Sequence, residues 1–216
     1  MKKEPTLNPR VPRQARSIAR ANKILDTTEQ LILEIGIDNI SAHKIAEKAK
    51  IPSASVYQYF PRKSYIFLAL SERKADECKT FFEEELNDIR VEGWEELSDL
   101  MVSLLARAHM NDPVAQALFI GIHTATVVRE AAFSRINAFS NYYAGIYENH
   151  FDTSDIDNFV EKIAISTHIA ESVFVRSLYD SNEIRSHYID EAALAVREYL
   201  RIYLHDIKLS PNNSVQ

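Results

Sequence analysis

The sequence predicts an all-α protein in which a small head of three N-terminal helices precedes a larger helical body. Only four of the 216 residues are glycine and seven are proline, so few turns interrupt the chain. Apolar residues recur three and four positions apart through most of the sequence, which is the spacing of one helix face. No stretch alternates apolar and polar residues for longer than chance would give, so we predict no strand.

The first helix is predicted from about Gln14 to Ile35, and Gly36 is expected to end it. One face of this segment is apolar along its length, at Ile18, Ala21, Leu25, Thr28, Ile32 and Ile35. The preceding residues 1–12 contain three prolines and four charged groups, so we expect a disordered basic arm. They lack the apolar run of a signal peptide.

The second helix is predicted over residues 42–49. Three residues, Ile45, Ala46 and Ala49, form its apolar stripe, and small Ala46 allows another helix to cross closely. Ser41 precedes the stripe, where its hydroxyl can accept a hydrogen bond from a backbone N–H of the first turn.

A third helix is predicted from about Ser53 to Phe60, after Pro52 has ended the second. Val56 and Phe60 lie one turn apart on its inner face, and Ile51 can fill the corner between the two helices. Two short helices joined by a tight turn form a helix-turn-helix, whose second helix enters the major groove of DNA.

This segment resembles the DNA-binding signature of the TetR family of one-component bacterial repressors, T-x-x-x-I-A-x-x-A-G-V-S-x-G-T-L-Y-x-H-F-x-x-K. The residues that match in type and spacing are Ser41, Ile45, Ala46, Ala49, Ile51, Ser55, Val56, Tyr57, Tyr59, Phe60 and Lys63. The resemblance is specific over residues 14–70 and concerns only the architecture beyond them.

By this resemblance, one set of head residues contacts DNA phosphates: Ser41, Ser55, Tyr57, Tyr59 and Lys63. A second set points outward where side chains can reach base edges: His43, Lys44, Ser53, Ala54 and Gln58. The implied partner is double-stranded DNA with a near-palindromic operator, bound by a homodimer.

Three residues depart from the family pattern. Lys50 stands where glycine is usual after a helix, so a non-glycine residue is expected at positive φ. Pro52 replaces a common serine cap, which leaves Ser53 as the expected cap of the third helix. Ala54 replaces a second glycine and adds a methyl group on the DNA side. None of these changes removes the motif.

The charge is unevenly divided along the chain. Residues 1–67 carry 12 Lys and Arg against 6 Asp and Glu, whereas residues 68–216 carry 13 against 25. A basic head on an acidic body is expected when only the head meets phosphates.

A long fourth helix is predicted from Lys63 and would join head to body without a flexible linker. Cys78, the only cysteine, excludes an internal disulfide and is expected to be a buried packing residue. The predicted body helices are Trp94–Met110, Pro113–Val128, Arg129–Phe151, Ile156–Tyr179 and Ile184–Ile207. We predict four regions: the arm 1–12, the DNA-binding domain 13–62, the effector-binding and dimerisation domain 63–208, and a flexible tail 209–216.

Two stretches, Pro113–Val128 and Ile136–Tyr147, are uncharged over most of their length, and the second is rich in aromatic side chains with polar tips. An apolar lining with a few hydrogen-bonding groups is how small-molecule pockets are composed. The predicted effector pocket comprises Phe119, His123, Thr126, Phe139, Tyr142, Tyr143 and His168. Its lining predicts a largely apolar effector with one or two polar groups. An ordinary core with tyrosines at its rim is the alternative.

The last two predicted helices are apolar over wide faces. Those faces comprise Ile163, Ile169, Val173, Phe174, Ile189, Ala192, Val196, Tyr199, Leu200, Tyr203 and Leu204. Burial inside one body would explain them, whereas the resemblance implies a homodimer formed by these two helices as a four-helix bundle.

The sequence contains no nucleophile elbow, phosphate loop or zinc-binding helix, so we predict no enzymatic activity and no cofactor. No two of the seven histidines are four residues apart, so we predict no metal site, with an assembly across helices as the alternative. The longest uncharged run is too short to span a membrane, and we expect a cytoplasmic protein.

These observations predict a transcriptional regulator, most simply a repressor that a small-molecule effector releases from its operator. The alternative is an all-helical binding or enzymatic protein whose helix-turn-helix no longer functions. The basic head, with Tyr57, Tyr59 and Lys63 at phosphate-facing positions, favours the regulator.

Overall fold

A computed structural model describes residues 15–87, 89–119 and 139–209, and the all-α prediction is confirmed there. The helices are α1 (Ala15–Ile35), α2 (Ala42–Ala49), α3 (Ser53–Tyr59), α4 (Lys63–Leu86), α5 (Trp94–Asn111), α6 (Pro113–Phe119), α7 (described over residues 139–150), α8 (Phe159–Ser181) and α9 (Ser186–Leu204). Within these ranges the chain forms no strand beyond one antiparallel bridge between Phe151 and Leu209. The predicted arm 1–12, residues 120–138 of two predicted helices and tail residues 210–216 lie outside the described residues.

The head is built by α1, α2 and α3. Gly36 ends α1 with φ at 77°, a conformation that costs glycine little, and its N–H donates to the Ile32 carbonyl at 3.0 Å. A 3₁₀ turn, Ile37–Asn39, then leads into α2. Ile24, Ile45 and Val56 are each fully buried, one from each helix, so the three helices share one core.

The long helix α4 runs from the head into the body without a break. Ile66, Phe67 and Leu70 near its start are buried, as is Phe82 near its end. Its 24 residues span about 36 Å at the usual helical rise. A rigid connection of this kind transmits a tilt from one end to the other.

The body is assembled around α5, which packs against α6, α8 and α9, while α8 and α9 pack against each other. Helix α8 begins at Phe159, three residues later than predicted. The delay arises because Thr153 to Ile156 form a turn and Asn158 adopts a left-handed conformation with φ at 54°. No helix in the described part of the chain is long and apolar enough to cross a membrane.

Candidate functional site

The turn between α2 and α3 is closed by backbone hydrogen bonds around Lys50. Lys50 has φ 52° and ψ 51°, so the predicted left-handed conformation is confirmed. Its N–H donates to the Glu47 carbonyl at 3.1 Å, and the Ile51 N–H donates to the Ala46 carbonyl at 3.0 Å. This is the Schellman pattern, which normally has glycine at the left-handed position. Lys50 therefore carries backbone strain that a glycine at this position would avoid.

The two helix starts differ in how they are capped. Ser41 caps α2 as predicted, because its Oγ accepts a hydrogen bond from the Lys44 N–H at 3.3 Å. The predicted cap of α3 at Ser53 is wrong: Pro52 occupies the cap position and Ser53 is the first helical residue, with no side-chain capping bond. The reason is that Pro52, at φ −60° and ψ 140°, already provides the extended residue before the helix.

Helix α3 presents one face to the head's core and the other to solvent. Val56 is fully buried and Phe60 nearly so, as predicted. On the outer side Tyr57 is 55% exposed, so α3 presents a large aromatic side chain to solvent. Four more of the proposed DNA contacts are exposed, namely His43, Lys44, Ala54 and Gln58, and five are half-buried, namely Ser41, Ser53, Ser55, Tyr59 and Lys63.

Lys63 is the first residue of α4 and lies immediately beyond the helix-turn-helix. Its ammonium stands 5.1 Å from the centroid of the Phe67 ring, a contact that positions the side chain. Partial burial lowers the pKa of Lys63, and the nearby Asp38 charge opposes that shift. The ammonium is thus held at the edge of the head rather than extended freely into solvent.

The predicted effector pocket is only partly described. His123 and Thr126 lie outside the described residues, and the Phe119 side chain does too. Phe139, Tyr142 and Tyr143 contact one another, with ring centroids 5.2 to 6.2 Å apart. Tyr143 also packs on Phe82 of α4 at 5.1 Å. These three residues form an aromatic cluster that joins α7 to α4.

His168 is held by its own helix, with Nδ1 2.8 Å from the Ala164 carbonyl oxygen. Two cavities lie beside α5, and His168 is not among the residues that line either of them. Tyr142 is half-buried, and burial together with the Glu83 and Cys78 charges raises its pKa to about 12. Tyr142 therefore stays neutral, and its hydroxyl donates to the Lys79 carbonyl of α4.

A cavity of about 130 Å³ lies where α4, α5 and the start of α6 meet. It is lined by Lys74, Glu77, Cys78, Phe81, Ala108, His109, Asn111, Asp112 and Ala115. Cys78, predicted to be a buried packing residue, is only half-buried and lines this cavity. Sequence reasoning missed the cavity, although one signal was present: Lys74 interrupts the apolar stripe of α4 one turn after Leu70.

The Lys74 ammonium is surrounded by three carboxylates from three elements. It lies 3.2 Å from Glu29 on α1, 2.9 Å from Glu77 on α4 and 3.1 Å from Asp112 between α5 and α6. Burial by itself lowers the pKa of Lys74, but the hydrogen bond to Glu77 and the other two carboxylates raise it overall. Lys74 is therefore a buried, fully charged group that ties the head to the body.

Asp112 has a second role at the same place. Its Oδ1 accepts hydrogen bonds from the Val114 and Ala115 N–H groups, both at 3.0 Å, while its Oδ2 faces Lys74. Asp112 thus caps α6, which begins at Pro113 as predicted. On the other side of the cavity, buried His109 lies 3.7 Å from the buried Glu171 carboxylate on α8.

The apolar faces of α8 and α9 are largely used inside the single chain. Six residues from the predicted dimer faces are buried in it: Ile163, Phe174, Ala192, Val196, Leu200 and Leu204. Other large apolar side chains of these two helices remain exposed, namely Ile165 (42%), Tyr179 (72%), Leu194 (46%) and Ile202 (66%). We call these four the outer face of the α8–α9 pair; Val160 on α8 is exposed as well, to 36%.

Within the described residues, no three or more His, Cys, Asp or Glu side chains are arranged so that they could hold a metal ion.

Two family models match the chain. The model described as bacterial regulatory proteins, tetR family, matches residues 24–70, and the one described as tetracyclin repressor-like, C-terminal domain, matches residues 92–203. A search of curated proteins found no significant match.

Several solved structures share the fold. A TetR-family regulator from Streptomyces coelicolor is 22% identical with a TM-score of 0.65, over 86% of this chain and 99% of that one. RolR, solved in complex with resorcinol, is 16% identical with a TM-score of 0.64, over 87% and 89% of the two chains. The multidrug-binding protein EbrR, solved with imidazole, is 17% identical with a TM-score of 0.57, over 82% and 94%.

Proposed function

The chain belongs to the TetR family and is a ligand-responsive DNA-binding transcriptional regulator, and we propose that it represses genes by binding a near-palindromic operator as a homodimer. The observation that carries this proposal is the structure of the α2–α3 unit. Its inner side is buried in the core of the head, whereas Tyr57 on its outer side is exposed and can contact DNA. In this proposal residues 13–62 bind DNA and residues 63–208 bind effector and partner. The protein acts in the cytoplasm, where the operator is.

The DNA contacts divide into two kinds. Ser41, Ser55, Tyr57, Tyr59 and Lys63 bind phosphates, and His43, Lys44, Ser53, Ala54 and Gln58 face base edges. The start of α2 supports the first group, because Ser41 lies beside N–H groups of a helix end, which favour negative charge. The exposure of Gln58 supports the second, since an amide can pair with adenine in the major groove.

The homodimer is proposed to form through the outer face of α8 and α9. Ile165, Tyr179, Leu194 and Ile202 would otherwise expose apolar surface on two neighbouring helices. Pairing of two such helix pairs makes a four-helix bundle, whose two-fold symmetry matches a palindromic operator. The six buried residues of the faces predicted from the sequence are left out of this interface, whereas half-buried Ile169 and Tyr199 can still belong to it.

The proposed effector is a largely apolar small molecule with one or two polar groups. RolR was solved with resorcinol and EbrR with imidazole, both single-ring molecules, which supports a compact ligand here. The pocket proposed from the sequence joins Phe119, His123 and Thr126 to Phe139, Tyr142, Tyr143 and His168. A ligand beside Tyr142 would press on α4, since the Tyr142 hydroxyl donates to the Lys79 carbonyl at 3.4 Å.

Release follows from the geometry of α4. A ligand changes DNA affinity only through its different contacts with the two states of the protein. A tilt of α4 would alter the distance between the two heads, and half-sites one turn of DNA apart tolerate little change. Each head would remain folded while the pair no longer fits the operator.

A gel shift with the full chain and the DNA upstream of its own gene tests the proposal. We expect retention of that DNA but not of an unrelated fragment of the same length, and loss of retention on Tyr57→Ala. Equal retention of both fragments, or none of either, would favour the helical binding protein with a non-functional helix-turn-helix. No observation favours that alternative over the regulator.

A further inference from the structure

The cavity between α4, α5 and α6 has one apolar wall and one charged wall. Phe81, Ala108 and Ala115 supply carbon surface. The charged wall is formed by Lys74, Glu77 and Asp112. Its volume of about 130 Å³ is close to the roughly 150 Å³ of an apolar cavity that accommodates benzene. The space therefore suits a molecule with a single ring.

The charged wall has two carboxylates and one ammonium, and further carboxylates outside the wall contact the same ammonium and its neighbour. Three carboxylates surround the single ammonium of Lys74. The neighbouring Arg73 does not restore neutrality, because its guanidinium contacts both Glu29 at 3.2 Å and Asp26 at 2.6 Å. The cluster of four carboxylates and two cations keeps an excess of negative charge, which attracts a positive group and repels an anion.

We propose that this cavity binds a single-ring molecule that carries one positive charge, with the ring against Phe81 and the charge at Glu77 and Asp112. The proposal rests on the ligand response described above and adds a second site to it, because this cavity shares no lining residue with the pocket proposed from the sequence. The ring gains from removal of its apolar surface from water, and from an edge or face contact with Phe81. The cation gains charge-assisted hydrogen bonds from carboxylates already oriented at this wall.

Such a ligand competes with Lys74 for the same carboxylates. Glu77 and Asp112 cannot hold two cations as well as one, so Lys74 loses part of its attachment when the ligand binds. Lys74 also forms an ion pair with Glu29 on α1, so the ligand weakens a contact between head and body. The cavity is thereby coupled to the DNA-binding head through one side chain.

The first experiment is a calorimetric titration of the full chain with three probes of one shape: benzylamine, benzyl alcohol and benzoate. We expect benzylamine to bind at least about tenfold more tightly than the other two. Equal affinities for benzylamine and benzyl alcohol would overturn the assignment of a cation. Absence of benzylamine binding would overturn the site itself.

Two variants locate the probe. Glu77→Gln keeps the shape but removes one carboxylate, and it should weaken benzylamine binding about tenfold, whereas Glu84→Gln on the exposed side of α4 should not. Ala108→Leu fills the cavity from a half-buried position without removing any charge. Benzylamine affinity unchanged in Ala108→Leu would place the probe elsewhere and contradict the proposal.

Hydrogen exchange distinguishes this inference from the proposed function. Saturating benzylamine should speed exchange of the α1 amides around Glu29 and leave α9 amides unchanged. Unchanged α1 exchange with bound benzylamine would disprove the coupling through Lys74. Because operator binding is measured without any probe, a chain that retains its operator but does not bind benzylamine would refute only this inference.

Discussion

Glu29 on α1 and Lys74 on α4 form an ion pair with 3.2 Å between carboxylate oxygen and ammonium nitrogen. Lys74 also pairs with Asp112 at 3.1 Å, so the head, the long helix and the body meet at one ammonium. Only 8% of the Lys74 side chain is exposed. The attachment of head to body therefore depends on a buried charge whose partners come from three separate elements.

Replacement of Lys74 by methionine should lower the free energy of unfolding by about 2–3 kcal/mol, because it leaves three carboxylates facing one another with no cation between them. Urea denaturation followed by circular dichroism measures the change. Lys23→Met removes the same charge from an exposed position of α1 and should change stability by less than about 0.5 kcal/mol.

The stability difference between the native protein and Lys74→Met depends on pH in a defined direction. Since the pKa of Lys74 is raised above its usual 10.5, its contribution is complete below that pH and is lost only as pH rises through the higher folded value. The gap between native protein and Lys74→Met should stay constant from about pH 7 to about pH 10. A gap that closes by pH 9 would show that Lys74 is not held as a charged group.

Lys50→Gly should stabilise the head by up to about 1 kcal/mol, because glycine adopts the observed φ of 52° at little cost. Thermal unfolding provides the measurement. Ala54→Gly is the matched control, since it restores the other family glycine but lies within α3 and should destabilise by about 0.5–1 kcal/mol. A lower melting temperature for Lys50→Gly would mean that the lysine side chain makes a contact worth more than its strain.

The head was the part of the fold that the sequence determined most closely. Both bounds of α2 were predicted to the residue, because Ser41, the apolar stripe and Lys50 are local signals that agree. Asn158 shows the opposite case: its left-handed conformation depends on how the turn before α8 packs, and no local pattern indicates it. The predicted cap at Ser53 was wrong because Pro52, the residue before it, occupies the cap position.

The cavity could not be predicted because its lining comes from three successive helices whose packing against one another the sequence does not indicate. Phe81, Ala108 and Ala115 each resemble ordinary core residues, and only the fold brings them beside Lys74. The exposed face of α8 and α9 could not be predicted for a similar reason. Ile163 and Ile165 have the same hydrophobicity, and only the packing of α8 on its neighbours decides that the first is buried and the second exposed.

Lys63→Ala should weaken binding to all DNA sequences and reduce the log–log slope of affinity against salt by about one, because one phosphate contact is lost. Fluorescence anisotropy at several salt concentrations measures the slope. Lys208→Ala removes the same charge from the exposed end of the body and should leave the slope unaltered. A slope that Lys63→Ala does not change would remove this residue from the DNA interface.

Ile202→Glu should convert the homodimer to a folded monomer, because the side chain is 66% exposed in the single chain and would place a charge in the proposed interface. Sedimentation velocity gives the mass and circular dichroism the fold. Leu33→Glu, at a 60% exposed position on α1, is the control and should remain dimeric. A dimer that survives Ile202→Glu would place the interface elsewhere on the chain.

Footprinting of the purified chain on the DNA upstream of its own gene tests the central claim most directly. Two heads related by a two-fold axis should protect a near-palindrome whose half-sites lie about 34 Å, or one helical turn, apart. Gln58→Ala should relax the base preference within each half-site without abolishing protection elsewhere. Protection of a single asymmetric half-site by a monomer, or no protected sequence at all, would contradict the account.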